Sequence, residues 1–187
     1  MKFRIGILLL LALLFAGACQ KAPRQSGNDN TSASLPPDET ENNGIIEMQP
    51  SHISDTTTWQ NRIYQYKIIR EADKDLPPST EEGSGTIFLD NHIDLTITCG
   101  EKEIFHHRFT KNSFSSYLDQ GFLDNGILEG LVFDRVVPEG LRFATSVSYP
   151  RSDLYLPLLV IVNHQGQVSI MKDEVLDESI DERQDNN

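Results

Sequence analysis

Hydrophobic and polar residues alternate along several short segments between residues 44 and 172. In one of them, residues 62–70, Tyr64, Tyr66 and Ile68 alternate with polar side chains. Because successive side chains of a strand point to opposite faces, this period of two predicts a half-buried β-strand. Gly, Asn, Asp and Pro separate the segments, so we predict a mainly β, single antiparallel domain of about eight strands with one short helix. The pattern leaves a sandwich and a small half-open barrel both open.

A β-hairpin is predicted where the alternating segments 92–99 and 103–110 flank a short loop. A three-residue loop places the apolar residues of both segments on one face. A two-residue turn at Glu101 and Lys102 would send them to opposite faces, so we reject that register. The expected pairs are Cys99 with Glu103, Ile97 with Phe105, Leu95 with His107, Ile93 with Phe109 and, on the outer face, Asp94 with Arg108.

The last third of the domain contains four strand-like segments in succession. Residues 127–137, 141–149, 156–163 and 168–172 are strand-like, and only short turns separate them. Such short links predict sequential antiparallel pairing. Every residue from 158 to 162 is apolar, which predicts a strand covered on both faces.

The one helical pattern covers residues 112–120, with Asn112 as the expected cap. Asp124-Asn125-Gly126 is read first as a turn, with a calcium site as the alternative that the ligand spacing disfavours. Residues 71–84 contain Pro77-Pro78 and several acidic residues, which predicts a solvated loop and not a site.

The N-terminus is typical of an export signal. Lys2 and Arg4 precede an apolar run, residues 5–15, that is too short to span a bilayer. Small residues then precede Cys19, and the string Ala16-Gly17-Ala18-Cys19 resembles the lipobox of bacterial lipoproteins, which implies an acylated N-terminal cysteine after cleavage. The alternative is an ordinary secretory signal with Cys19 as a bystander. Several acyl chains would anchor the protein to a membrane without spanning it.

Composition divides the rest of the chain. Residues 1–18 are the predicted signal peptide, and residues 19–43 carry Cys19 and a polar segment too poor in apolar side chains to order itself, a predicted disordered tether. Residues 44–172 form the predicted β-rich domain, and residues 173–187 an acidic tail. In lipoproteins of the kind that this N-terminus resembles, an acidic cluster just after the cysteine accompanies display outside the cell, and residues 20–25 contain no acid. The resemblance therefore implies a lipid-anchored protein of the cell envelope, in the outer membrane and facing the periplasm.

The charge of the chain excludes some partners. The net charge is −12, and removal of Lys2 and Arg4 with the signal makes it −14. This acidic field repels phosphate backbones and anionic headgroups, so we expect no nucleic-acid partner and no membrane contact besides the lipid anchor. A small-molecule or protein partner stays open.

Candidate catalytic residues are few. His106 and His107 are adjacent on one predicted strand and point oppositely, so they cannot bind one ion together; we expect a partly buried His107 and a surface His106 beside Thr96. Cys99 has no evident activator, and no serine, Ser115 included, lies in a nucleophile motif. We therefore expect no metal, no cofactor and no catalytic residue, and the ligand-binding residues stay unknown. The sheet tyrosines are expected in the core or at its rim, namely Tyr64, Tyr66, Tyr149 and Tyr155.

A set of strings runs from Phe109 through Leu128-Glu129-Gly130-Leu131-Val132-Phe133, Leu141-Arg142-Phe143-Ala144 and Val147-Ser148-Tyr149-Pro150 to Ser152-Asp153. These strings resemble a family of Bacteroidetes lipoproteins catalogued as a domain of unknown function. The resemblance covers residues 62–172 and implies a lipoprotein and a class of bacterium, but no activity. We expect a non-catalytic binding or structural module; an envelope hydrolase with an Asp, His and Ser site is the alternative.

Overall fold

The computed structural model describes residues 39–42, 44–81 and 83–174. These residues form twelve strands, one 3₁₀ helix and one short α-helix. The strands are β1 (Glu39–Asn42), β2 (Ile45–Met48), β3 (Ser51–Trp59), β4 (Arg62–Ala72), β5 (Ser79–Thr80), β6 (Ile87–Phe88), β7 (Asn91–Cys99), β8 (Lys102–Phe109), β9 (Ile127–Val137), β10 (Gly140–Ser148), β11 (Tyr155–Val162) and β12 (Val168–Lys172). The 3₁₀ helix is Lys111–Tyr117 and α1 is Gln120–Asn125.

Two four-stranded antiparallel sheets make up most of the domain. The first sheet has the order β3-β4-β7-β8 and the second has the order β12-β11-β10-β9. A small third sheet, β1-β2-β6-β5, contains one parallel pair, β2 with β6. The predicted mainly β fold with a short helix is confirmed, and the described strands form no closed barrel.

The inner faces of the two large sheets share one hydrophobic core. Tyr66 of the first sheet packs between two rings of the second sheet, 4.9 Å from Phe133 and 5.8 Å from Phe143, measured between ring centroids. Tyr64 is buried in the same core, as the alternating pattern of β4 predicted. The outer faces of both sheets are therefore the surfaces that the domain leaves for binding.

The predicted hairpin register is confirmed over most of β7 and β8 but is wrong at the tip. Ile97 pairs with Phe105 and Asp94 with Arg108, as expected. Cys99, however, pairs with Lys102 across a two-residue turn, and a β-bulge leaves Ile104 as the extra residue on β8. The bulge restores the register that the shorter turn would otherwise shift. At the turn, Gly100 has a φ of +62°, which a glycine adopts without steric cost.

The helix predicted over residues 112–120 differs from the two helices observed, the 3₁₀ helix and α1. The 3₁₀ helix begins after Thr110, whose backbone N–H donates to Ser113 Oγ at 3.1 Å, so Asn112 is not the cap. Asp119 caps α1 by accepting a hydrogen bond from the Phe122 N–H at 3.0 Å. Asp124 and Asn125 lie in α1 and not in a turn. Thr110 and Asp119, and not Asn112, are therefore the residues that cap the free backbone N–H groups at the helix N-termini.

The four strands of the second sheet are confirmed, with sequential antiparallel pairing. The edge strand β3 was not predicted, because its residues are polar at most positions. Strand β1 precedes the predicted start of the domain at Gly44.

The predicted signal peptide, Cys19 and the tail beyond Glu174 lie outside the described residues. Within the described part of the chain, none of the helices has the length and apolar character needed to cross a membrane.

Candidate functional site

Asp90 and Lys111 form a buried ion pair between the start of β7 in the first sheet and the start of β9 in the second. Asp90 lies just before β7, and its Oδ1 accepts hydrogen bonds from the backbone N–H groups of Asn91 and Leu128, each at 2.8 Å. Its Oδ2 lies 3.5 Å from Lys111 Nζ, which also donates to the carbonyl of Gly126 at 2.6 Å. These contacts fix the backbone where α1 leads into β9.

The environment of Asp90 raises the pKa of its carboxyl group. Burial is the largest cause, and it outweighs the opposing effects of the Leu128 N–H and the Lys111 ammonium. Beside the pair lies a pocket in which the centres of water molecules can occupy about 60 Å³. Since one water needs roughly 10 to 15 Å³ by this measure, the pocket has room for a few waters but not for an organic ligand. We therefore assign a structural role to this ion pair.

A second polar group lies on the outer face of the first sheet, and we call it the histidine-acid cluster: His52, Glu71, Asp73 and His92. Glu71 on β4 pairs directly with His92 on β7, while His52 on β3 is opposite Ile69, two residues before Glu71. Side chains two residues apart share a face of a strand, so these three point the same way. Residues 71–84 were predicted as a solvated loop and not a site, but Glu71 and Asp73 lie in this cluster.

His92 is the fixed member of the cluster, with a side chain only 10% exposed. Its Nδ1 lies 2.9 Å from Asp73 Oδ2, and its Nε2 faces Glu71 Oε2 at 3.7 Å. On the other side of Glu71, Oε1 lies 4.0 Å from His52 Nε2. Nε2 of His92 is buried and has no hydrogen-bond partner among the described residues.

Asp73 is held as a carboxylate. The Asp75 backbone N–H donates to it at 2.9 Å and is the main cause that lowers the pKa of Asp73, with further lowering by His92. Beside the cluster, Arg108 donates to both oxygens of Asp94 at 2.8 and 2.7 Å and lowers the pKa of that carboxyl group. Fixed negative charge therefore surrounds His92.

No three His, Cys, Asp or Glu side chains in the described ranges stand close enough together to hold a metal ion as they are placed. Sequence reasoning missed the cluster because its histidines lie 40 positions apart, at His52 and His92. The register of β4 with its two neighbours brings them together, and no short motif marks that register.

An open apolar groove lies against the second sheet. Its volume is about 420 Å³, and Met48, Val132, Ala144, Tyr155 and Pro157 line its apolar part. The Arg70 guanidinium donates to the Glu129 carbonyl at 2.6 Å, and Ser146 Oγ donates to the Glu129 carboxylate at 2.6 Å, which gives the groove a polar rim.

An apolar row continues across the outer face of the second sheet from this groove. Val132 pairs with Ala144, Ala144 with Leu159, and Leu159 with Met171. Val132 and Met171, at the two ends of the row, are 51% and 40% exposed, whereas Leu159 between them is buried with 6% exposed, so the row is open to solvent only at its ends. The groove at the Val132 end of this row is the feature of the described domain most suited to binding another molecule.

The other candidates from the sequence lie apart from both features. His106 is exposed, with Nδ1 3.0 Å from Thr96 Oγ1, as predicted. His107 is also exposed, so its predicted partial burial was wrong. Strand β8 is an edge strand, and the His107 ring packs edge-on against Phe109 at 4.6 Å and lies 6.1 Å from the ring of Phe105. Cys99 is a half-buried free thiol near the hairpin tip. Tyr149 packs against Phe122 at 4.9 Å, whereas Tyr155 lines the groove.

Comparison with protein families identifies the domain. A family model described as a domain of unknown function, DUF4738, matches residues 30–170, well over half of the chain. The chain belongs to this family. The match starts before β1 and ends within β12, so the DUF4738 domain includes both large sheets, the histidine-acid cluster and the groove. No curated protein matches the chain.

Proposed function

We propose that this DUF4738 protein is a cell-envelope lipoprotein of the Bacteroidetes type whose domain works by binding a protein partner. The acylated Cys19 would anchor it in the outer membrane, facing the periplasm. The observation that carries the binding role is the open apolar groove, in which Val132 is 51% exposed. An apolar surface of this kind on a soluble domain is typical of an interaction site.

The shape of the groove favours a protein over a small molecule as the partner. Small-molecule sites are concave and bury most of their ligand. This groove is open to solvent, and its apolar floor, from Val132 to Ala144, lies on the face of the sheet instead of closing over a cavity. A flat apolar surface with a polar rim, here Glu129 and Ser146, is the anatomy of a protein interface.

Site-specific photocrosslinking in living cells tests this role. We expect a photoreactive residue at Val132 to yield a discrete protein adduct, because the partner would cover this side chain. The matched control is Ile63, an equally apolar β-branched residue that is 67% exposed on β4 of the other sheet. The adduct masses are read on denaturing gels after irradiation.

A groove-filling variant provides the second control. Ala144→Trp places a large ring on the floor of the groove and should abolish the Val132 adduct while the purified protein keeps its thermal unfolding midpoint within a few degrees. Identical adducts from positions 132 and 63, or a Val132 adduct that persists with Ala144→Trp, would contradict the proposed interface.

Cys19→Ser tests the anchor. We expect this change to abolish palmitate labelling and to move the protein from the membrane fraction to the soluble fraction, because serine offers no thiol for acylation and the remaining chain has no other predicted membrane contact. Ser26→Ala in the predicted tether is the control and should leave the protein in the membrane fraction. Labelling that persists in the Cys19→Ser protein would defeat the lipoprotein proposal.

The alternative function, an envelope hydrolase, is favoured only by the contact between Asp73 and His92. Such a pair orients an imidazole for general-base catalysis, but a nucleophile must lie within hydrogen-bond reach of the second ring nitrogen. Among the described residues, no serine hydroxyl forms a hydrogen bond with His92 Nε2. Binding is therefore the function that we place first.

A further inference from the structure

We propose that a second copy of this chain pairs with the free edge of β3, so that the first sheets of two protomers form one eight-stranded sheet. Strand β3 is an edge strand of the first sheet, and all nine of its residues pair with β4 without a bulge. Antiparallel pairing of a strand with its own copy follows a two-fold axis, the commonest symmetry of soluble oligomers. This interface goes beyond the proposed protein partner, which uses the second sheet.

The other three edges of the two large sheets carry bulges or side-chain contacts, which are the usual devices that stop an edge from pairing with another chain. At β9, side chains at the start of β7 bond to the backbone N–H and C=O of Leu128, and two bulges interrupt the strand. At β12, the Tyr117 hydroxyl donates to the Ile170 carbonyl. At β8, the bulge at Ile104 breaks the ladder. Strand β3 is therefore the edge that these devices leave open.

The turn between β3 and β4 determines which backbone groups face the free edge. Its two residues have positive φ, 49° at Gln60 and 60° at Asn61, which is the geometry of a type I′ hairpin. In such a hairpin the flanking pair, Trp59 with Arg62, exchanges two backbone hydrogen bonds. Every second residue back from Trp59 then bonds to β4 in the same way, and the residues between them turn their N–H and C=O groups to the free edge.

Ser54, Thr56 and Thr58 are the edge-facing residues in the middle of β3. The Thr56 N–H donates to the Asp55 carboxylate at 2.7 Å, which agrees with a position outside the ladder to β4. The other N–H and C=O groups of these three residues form no hydrogen bond within the described part of the chain. Each residue offers one donor and one acceptor, so an added strand could form six main-chain hydrogen bonds here.

The side chains of β3 favour a second copy as the occupant, because one two-fold register matches them. With Thr56 opposite Thr56 of the second copy, Asp55 lies opposite Thr57 and Ile53 lies opposite Trp59. Apolar residues then face each other, and the one acidic residue of β3 faces a hydroxyl. A two-fold axis one residue earlier would place two Asp55 carboxylates directly opposite each other, and an axis one residue later would place Asp55 opposite Trp59. Like charges directly opposite each other are destabilising, so the axis at Thr56 is the register that we propose.

Disulfide crosslinking of the full chain in intact cells tests this register. Thr56→Cys is combined with Cys99→Ser, which removes the free thiol of the domain. The cells are treated with a mild thiol oxidant, and the products are separated on non-reducing gels. We expect a band of twice the chain mass, because the Cα atoms of a hydrogen-bonded antiparallel pair lie about 5.5 Å apart, a distance that a disulfide spans. The Cys99→Ser protein alone provides the baseline and should give no such band.

Ser54→Cys, again with Cys99→Ser, is the matched control. Position 54 lies on the same strand and the same face as Thr56, but in the proposed register it is opposite Thr58 of the second copy. The two copies of position 54 are then four residues apart along the strands, roughly 13 Å, which is too far for a disulfide. We therefore expect no doubled band from this variant.

Ser54→Pro tests the main-chain pairing itself. Proline removes an N–H that faces the free edge and not β4, so the domain should keep its fold, which the thermal unfolding midpoint checks. Added to the Thr56→Cys protein, this change should reduce the doubled band to the level of the Ser54→Cys control, whereas Ser54→Ala should leave the band unchanged.

Four results would overturn the proposal: no doubled band from Thr56→Cys, an equal band from Ser54→Cys, a band that persists with Ser54→Pro, or an adduct of another mass. The last result would show that a different protein pairs with this edge. None of these results bears on the crosslinks from Val132, so the two proposals fail separately.

Discussion

Replacing Lys111 by methionine is expected to lower the free energy of unfolding by about 3 to 5 kcal/mol, the usual cost of removing one partner of a buried ion pair. Methionine keeps most of the side-chain volume, so the loss would come from the ammonium group, which pairs with Asp90 and donates to the Gly126 carbonyl. Asp90 is 1% exposed, and in the variant its carboxylate would keep its two backbone donors but lose its only cation within 4 Å among the described residues. Urea unfolding at pH 7, followed by circular dichroism, measures the change.

The pH dependence identifies the cause of that loss. In the folded protein the pKa of Asp90 is raised above its usual 3.8, so the ionised carboxyl group favours the unfolded chain. Its contribution to stability is present below pH 3.8 and is lost as the pH rises through the folded pKa. Removal of Lys111 raises that pKa further, so the deficit of Lys111→Met should be smaller at pH 4 than at pH 7. The lowered pKa values of Asp94 and Asp134 act with the opposite sign, but they are common to both proteins and cancel in the difference.

Two controls separate the buried charge from other effects. Lys67→Met removes an exposed lysine on β4 and should change the free energy of unfolding by no more than about 0.5 kcal/mol. Asp90→Asn combined with Lys111→Met removes both charges and should recover part of the loss, because no unpaired charge stays buried. A deficit of Lys111→Met that is the same at pH 4 and pH 7 would show that Asp90 is not responsible.

Phe143→Ala is expected to lower the free energy of unfolding by about 3 to 5 kcal/mol, the range for emptying a buried aromatic position. Phe143 is fully buried where the two large sheets meet. Its ring packs edge-on against Phe133 at 5.7 Å and against Tyr66 at 5.8 Å. Close packing on both sides means that the neighbours cannot collapse into the space left by the ring, so a cavity should remain. Urea unfolding with tyrosine fluorescence as the probe measures the loss.

The graded substitution at the same position tests this packing argument. Phe143→Leu fills more of the space than alanine and should cost less than Phe143→Ala. Ile63→Ala, on the exposed face of β4, should stay within about 0.5 kcal/mol of the parent. A loss below about 1 kcal/mol for Phe143→Ala would mean that the two sheets do not depend on this contact.

The sequence predicted which face of each strand is buried, because burial of one face makes apolar and polar residues alternate with a period of two. The core positions Tyr64, Tyr66 and Ile68 followed directly from that alternation. The pairing of Ile97 with Phe105 followed as well, since a slip of one residue would have turned an apolar set outward. The tip of the hairpin did not follow, because a bulge at Ile104 compensates for a shorter turn, and the pattern cannot distinguish a loop residue from a bulged one.

The histidine-acid cluster and the groove were beyond sequence reasoning for a different reason. His52, Glu71 and His92 have no characteristic spacing, and their approach depends on which strands are neighbours and in what register. The row from Val132 to Met171 likewise crosses four strands, one residue from each. Short-range alternation determines which face of a strand is buried, since that depends on each strand alone. Which side chains then meet across the sheets depends on the pairing of distant segments, and only the tertiary structure decides that.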